Sequence, residues 1–387
     1  MLAGSMTALA VVSLLTPLAG GHGDEGEGEE GEGSGGAGVA GAAVWLLGVA
    51  LARVAIGVVQ GVIFPSVHTL LAEWIAPHAR SRCVSVAMSG MYLGSALAML
   101  AAPVSVESIG AEGQLKTHAF AAILWLAAFV LVFPHTTTPP GAKPVLPVSL
   151  ASAGVGAKVG GGGVGGNGSG NGVNGAGKRV SSGAVPWGGM LRSPAVWAII
   201  VNNFGYHYLV YVLVSWQPTY FQEALGVRLA GNKFASAGPY FVMTVCTTAG
   251  GLLSDALIAR GYTVASARKT INSAGFAVAT LALLIVPAQT GAAAAAGWIA
   301  LALGAAAVAR GGFAVNHMDI APRHAGVLMG LSNSAGTLAG VVGVKLTGTI
   351  LEASGGTWAP VFHVAAAICA AVAGVFAVFG RGERLFS

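Results

Sequence analysis

Charge is what this chain has least of. Only 9% of its 387 residues are Asp, Glu, Lys or Arg, where a soluble domain carries about a quarter, so an ordinary water-facing surface is excluded. Cysteine is rarer still. Cys83, Cys246 and Cys369 stand far apart in apolar segments, with no CxxC or metal-ligand spacing, which excludes a zinc module or disulfide framework and leaves buried, inert thiols. Catalytic spacings are missing too: there is no HExxH and no GxSxG, and no carboxylate pair falls inside an apolar run. The chain reads as no enzyme and calls for no metal and no cofactor. Gly172 to Arg179 imitates a phosphate-cradling loop, but Arg179 stands where Ser or Thr must ligate magnesium and no strand precedes it, so nucleotide binding is rejected. The pI near 9.2 does not signal nucleic acid, because the basic residues are scattered through connecting segments and form no stripe.

What is present is apolar and small: 55% hydrophobic residues and 60 glycines, with mean hydropathy +0.74. A helix rises about 1.5 Å per residue, so roughly 20 apolar residues cross a bilayer core. Segments of that length recur at 1–20, 41–65, 83–105, 117–134, 196–219, 236–254, 270–288, 293–315, 326–349 and 358–380, predicting an all-α, multi-pass membrane protein of about ten spanning helices. Met1 to Leu18 lacks the basic start of a signal peptide and reads as a span. Gly20 to Gly41 is a Gly/Glu loop and Pro139 to Val185 a Gly-rich linker, both solvated. The chain therefore divides into a helical bundle at 1–134, a cytosolic linker at 135–195 and a six-helix bundle at 196–387. Counting spans places Arg80, Arg82, Lys143, Lys178, Arg192, Arg260, Arg268, Arg323 and Arg381 on one face, which the positive-inside rule makes cytosolic.

Polar groups inside the spans carry the functional signal. Arg53 is the one fully charged side chain between Gly33 and Ala72. Holding it mid-membrane costs at least about 2.5–3.5 kcal/mol, so it should face a protein or water-filled interior with a task. Gln60 lies almost two turns on, along the same helix face, and His68 follows the Phe64-Pro65-Ser66 break. The segment closes on a basic hinge, Pro77 to Arg82. In the fifth span Asn203, His207 and Tyr211 recur at one-turn spacing, presenting an amide, an imidazole and a phenol that can bind an oxyanion or relay a proton, or simply join helices. The eighth span holds Arg310, a second costly charge, followed by Asn316, His317 and Asp319 near its cytosolic end, which suit a gate or helix cap. Asp255 closes the sixth span and can pair with the hinge arginines, Arg80 and Arg82. Trp216 to Phe221 reads as an aromatic belt at the outer interface. Ile75-Ala76-Pro77-His78-Ala79 and Ile320-Ala321-Pro322-Arg323-His324-Ala325 echo one another, as internal repeats of secondary transporters do.

The run RVAIGVVQGVIFPSVHTLLAEWIAPHARSR, Arg53 to Arg82, resembles the fourth helix and following loop of the major facilitator branch that contains vesicular glutamate transporters, sialin and sodium–phosphate cotransporters. NHMDIAPRHAGVLMGLSNSAGTLAGVVGVKLTGTI, Asn316 to Ile350, is similar to that branch's tenth and eleventh helices. Val196 to Phe221, Ala309 to Pro322 and the closing RGERLFS resemble its plant and algal phosphate transporter subgroup, in particular a Golgi-type member. The resemblance implies a major facilitator fold of twelve helices in two bundles. It aligns the first span here with the family's third, so the family's first two helices would precede Met1. It also implies that Arg53 is the anion-binding arginine and that His68 takes part in transport. Gln60 replaces a glutamate that many relatives use for proton coupling, and Tyr206 stands where glutamate transporters place an arginine. Ala79 replaces a hinge glutamate.

The expectation is a secondary transporter with alternating access that moves a small anion, inorganic phosphate first, coupled to H+ or Na+. Arg53 and Arg310 would hold the anion, with His207, Asn203 and His68 completing the site. Gln60, Asp255, Arg80, Arg82, His317 and Asp319 would serve coupling and gating. Alternatives are an organic anion such as ascorbate or a sialic-acid-like acid, a non-transporting scaffold or receptor, and a channel. The resemblance implies the Golgi as location, with a plastid membrane as the alternative.

Overall fold

The computed structural model describes residues 54–132, 185–227 and 233–386, together with 46–48 and 50–51. Arg53, the 1–20 span and the Gly-rich linker lie outside the described residues. Those described form helices and no strand: α1 Val54–Trp74, α2 Arg80–Gly110 and α3 Lys116–Leu131 before the linker, then α4 Pro194–Leu225, α5 Lys233–Ala259, α6 Val264–Ile285, α7 Ala292–Ile320, α8 Ala325–Ala353 and α9 Ala359–Phe379. All but α3 are long and apolar enough to cross a membrane. Helices dominate because every backbone N–H and C=O in hydrocarbon needs an internal partner.

Several boundaries depart from the sequence reading for local reasons. α1 does not stop at Pro65 but runs on to Trp74, because Pro65 falls in the first turn of the segment Ile63–Trp74, where a missing N–H costs least. The break between α2 and α3 sits at Gly110, whose φ of 71° and ψ of 172° belong to backbone space open to glycine alone. The two echoing Pro segments adopt the same form: Pro77–Ala79 and Pro322–His324 are single 3-10 turns that pass directly into the next helix. Trp216, Tyr220 and Phe221 do not form a lipid-facing belt. Tyr220 and Phe221 are buried, and Tyr220 packs against Trp358 and Phe362 of the α9 region at ring separations of 5.3 and 5.0 Å.

Packing pairs α2 with α5, α6 with α7, α4 with α8 and α5 with α7, while α1 lies along α8. α5 and α7 touch backbone to backbone where Gly250 meets Gly311, leaving no room for a Cβ on either. Most of α7 from Ala302 to Ile320 is buried, and the polar residues that matter are strung along it. The chain end also docks here, with Leu385 N and Phe386 N both donating to Ile320 O at 2.8 and 3.0 Å.

Candidate functional site

The site consists of three polar layers stacked along α7, and the deepest is built on Arg310. At 1.5 Å per residue, Arg310 lies about 15 Å from the Ile320 end of α7, half-way through a bilayer core. It is 4% exposed. Its Nη1 donates to the Tyr92 hydroxyl at 3.1 Å, and its guanidinium carbon sits 4.8 Å from the Tyr206 ring centroid and 5.9 Å from that of Tyr92. The Tyr92 and Tyr206 hydroxyls are hydrogen-bonded to each other. Arg310 Nε has no acceptor, and no carboxylate among the described residues lies within ion-pairing distance. A buried guanidinium held only by phenols therefore keeps its charge and spare N–H donors for something else.

One to two turns closer to the basic end lies a layer of imidazoles and amides. His207 Nδ1 donates to Asn203 O at 2.8 Å, and Asn203 Nδ2 donates to Ser332 O at 2.7 Å. His317 Nε2 meets the Ser332 hydroxyl at 2.7 Å, and its Nδ1 meets Ala314 O at 2.8 Å. His68 of α1 reaches the same carbonyl at 3.3 Å and stacks edge-on against His317 with ring centroids 5.6 Å apart. His68, Asn203 and His317, all buried, and half-buried His207 thus share one seam where α1, α4, α7 and α8 meet. Asn202, adjacent in sequence to Asn203, points instead to Val372 O of α9 and is structural.

The third layer closes the basic end. Arg268 pairs with Asp319 through Nε at 2.8 Å, and also donates to Ser254 at 2.8 Å and to Ser81. It is 1% exposed, so the loop position expected for Arg268 is wrong: it lies in the first turns of α6, drawn inward by Asp319. Arg80 forms no ion pair among the described residues. Its donors satisfy Ile75 O, Ala72 O and Met318 O at 3.3, 3.1 and 3.2 Å. Asp255 accepts from Arg82 N at 3.0 Å, with Arg82 Nε 4.0 Å away. Gln60 is exposed on α1 and joins none of these layers.

Sequence reasoning passed over Tyr92, Arg268, Ser81 and Ser332. Tyr92 carried a usable signal, being the one tyrosine in the 83–105 span. Asp319, an acid inside an apolar run, should have sent the search after a buried base. Ser81 and Ser332 gave no signal, because serine is common in membrane helices and only packing tells which hydroxyls are used.

A polar core of this kind, in a bundle of apolar helices, is what a solute path needs. The sequence matches the Major Facilitator Superfamily over residues 2–344. The chain belongs to that superfamily. As a facilitator it is a multi-pass transporter and not an enzyme. Among its relatives is Probable anion transporter 5 of Arabidopsis thaliana, 41% identical over 348 residues, which span 87% of this chain and 76% of that protein. Probable anion transporter 6 of Oryza sativa subsp. japonica is 40% identical over 87% of this chain and 77% of its own length. A sodium-dependent phosphate transport protein of Arabidopsis thaliana chloroplasts is 29% identical over 86% of this chain and 60% of its length. These matches place the facilitator in the anion and phosphate cotransporter branch. The fold also matches the Escherichia coli fucose:proton symporter, with a TM-score of 0.59 at 12% identity, over 97% of this chain and 83% of that one. A bacterial homologue of ferroportin in its outward-facing state gives 0.58 at 13% identity, over 97% and 82%.

Proposed function

We propose that this facilitator carries inorganic phosphate by alternating access, together with a coupling cation, H+ or Na+. The reading rests on one observation: Arg310 is buried at mid-depth with no carboxylate among the described residues to neutralise it. A fixed positive charge in low dielectric is expensive unless an anion compensates it, and a guanidinium fork matches the oxygens of a tetrahedral oxyanion. Arg53 would be the second anchor. His207, Asn203 and His68 would line the path, with His317 at the gate; Gln60, exposed and without a titratable proton, is left out of the coupling set. The bundles at 1–134 and 196–387, joined by the linker at 135–195, would rock about Arg310. In that motion the contacts of Arg80, Arg82, Asp255 and Asp319 would open and close the cytosolic end.

In proteoliposomes containing the full chain, the parent should accumulate radiolabelled phosphate, and Arg310→Gln should reduce uptake to the level of empty vesicles. Uptake by Arg310→Gln equal to the parent's would sink the assignment. An organic anion is the second reading, favoured by the 31% identity to a chloroplastic ascorbate transporter of Arabidopsis thaliana; unlabelled ascorbate that competes out phosphate uptake at lower concentration than phosphate itself would select it. We assign the protein to the Golgi, with a plastid membrane as the alternative favoured by the chloroplastic relatives, and a fluorescent fusion imaged against markers of both separates them.

A further inference from the structure

Tyr92 belongs to α2, before the linker, whereas Arg310 and Tyr206 belong to α7 and α4, after it. All three are buried, at 3%, 4% and 1% exposure respectively. The hydroxyl of Tyr92 therefore does two things at once. It accepts a hydrogen bond from Arg310 Nη1 at 3.1 Å, and it bonds the Tyr206 hydroxyl, tying the two parts of the chain together at the depth of the uncompensated charge. On the other edge of the guanidinium, Arg310 Nε–H has no acceptor among the described residues. A neutral phenol can satisfy one donor of the fork but supplies no charge. An oxyanion can take an Nη1–H and an Nη2–H together, end-on, through charge-assisted bonds about twice as strong as neutral ones.

We propose that Tyr92 is a resident stand-in for the transported anion, and that an incoming oxyanion displaces its hydroxyl from Arg310 and thereby parts Tyr92 from Tyr206. The inference rests on the anion-carrier reading given above and adds the event that links binding to movement. With the site empty, the phenol pair keeps the two parts joined. With the anion seated, Tyr92 has lost its charged partner and the joint is released. Binding then acts where a carrier needs it, because a ligand moves an equilibrium only through its differential affinity for the two states.

The test is a concentration series of radiolabelled phosphate uptake by the full chain in proteoliposomes. Tyr92→Phe keeps the ring and deletes the competing acceptor, so KM should fall, by up to about tenfold for one hydrogen bond to a charged group. Tyr206→Phe leaves the Tyr92 hydroxyl on Arg310. Its KM should fall too, but by less than in Tyr92→Phe, because it deletes the bond that anion entry must break and leaves the anion's competitor in place. A KM that rises or stays put in Tyr92→Phe overturns the proposal, since a direct ligand or a purely structural tyrosine gives those results. Should Tyr92→Phe fail to fold, a cysteine at Gly94, where an added Cβ meets nothing within 4 Å, provides a readout with Tyr92 intact. Phosphate should change its rate of alkylation by about twofold or more as α2 shifts, on the same population argument, and an unchanged rate overturns the proposal. If Arg310→Gln is dead while the Tyr92→Phe KM is unaltered, only the displacement step falls. If the parent carries neither phosphate nor ascorbate, the anion-carrier reading falls and takes this inference with it.

Discussion

Arg310 and Arg268 are both buried arginines, yet their partners give them opposite meanings. Arg268 is neutralised by Asp319 and further held by Ser81 and Ser254, so its charge is compensated inside the protein. Arg310 has phenols and, among the described residues, no acid. Substitution should separate the two. Arg310→Lys keeps the charge but loses the planar fork and should lower phosphate uptake by about tenfold or more, one good bidentate contact being worth roughly that much, with protein yield and melting temperature near the parent's. Asp319→Asn leaves Arg268 buried and unpaired, a defect of about 3–5 kcal/mol, and should lower the melting temperature in detergent. The paired change Arg268→Met with Asp319→Leu should recover much of that loss, because two apolar groups leave no orphaned charge; a double variant less stable than Asp319→Asn alone would contradict this account.

Helices pack here by close approach more than by interdigitating large side chains. At the crossing of α5 and α7 the backbone of Gly250 lies directly against Gly311, and a Cβ on either glycine would strike the other helix. In lipid, where apolar side chains gain nothing by leaving hydrocarbon for each other, such contact is the main source of helix association. Gly311→Ala should therefore push α5 and α7 apart at an overpacking cost of about 1–3 kcal/mol, read as a lowered melting temperature. Gly94→Ala on α2, which meets nothing within 4 Å, should be neutral or slightly stabilising, by up to about 1 kcal/mol from helix propensity alone. Equal effects from the two alanines would show that close packing is not what holds α5 to α7.

Across the whole molecule, the helices before and after the linker are joined by contacts at the basic end. Arg80 reaches Met318 O, Arg82 meets Asp255, and Arg268 donates to Ser81. α1 lies so close to α8 that a Cβ at Gly326 would collide with Thr69. The alternating access proposed above requires this end to separate. Thr69→Cys with Gly326→Cys replaces the two groups that meet at this crossing by thiols; they should cross-link under mild oxidation, and the cross-link should abolish phosphate uptake until a reductant restores it. Full uptake by the cross-linked protein would mean that transport does not need this end to open.

The membrane class, most of the spans among the described residues and the family were legible along the chain because a bilayer acts on each helix separately. Roughly 20 apolar residues and an internally bonded backbone are local requirements, and they identify Pro194–Leu225 or Ala359–Phe379 without reference to any neighbour. The polar residues inside those spans were legible for the same reason: Arg310, His207, Asn203 and Asp319 stand out because each is costly where it sits. Their partners were not legible. Arg268 finds Asp319 across 51 positions, and Arg310 finds Tyr92 across 218. Nothing in either helix alone says which face meets which. Tertiary packing decided that Asp319 would be neutralised while Arg310 would not, because a charge's partner is set by proximity in space, and in a helical bundle that proximity exists only once the helices have been brought together.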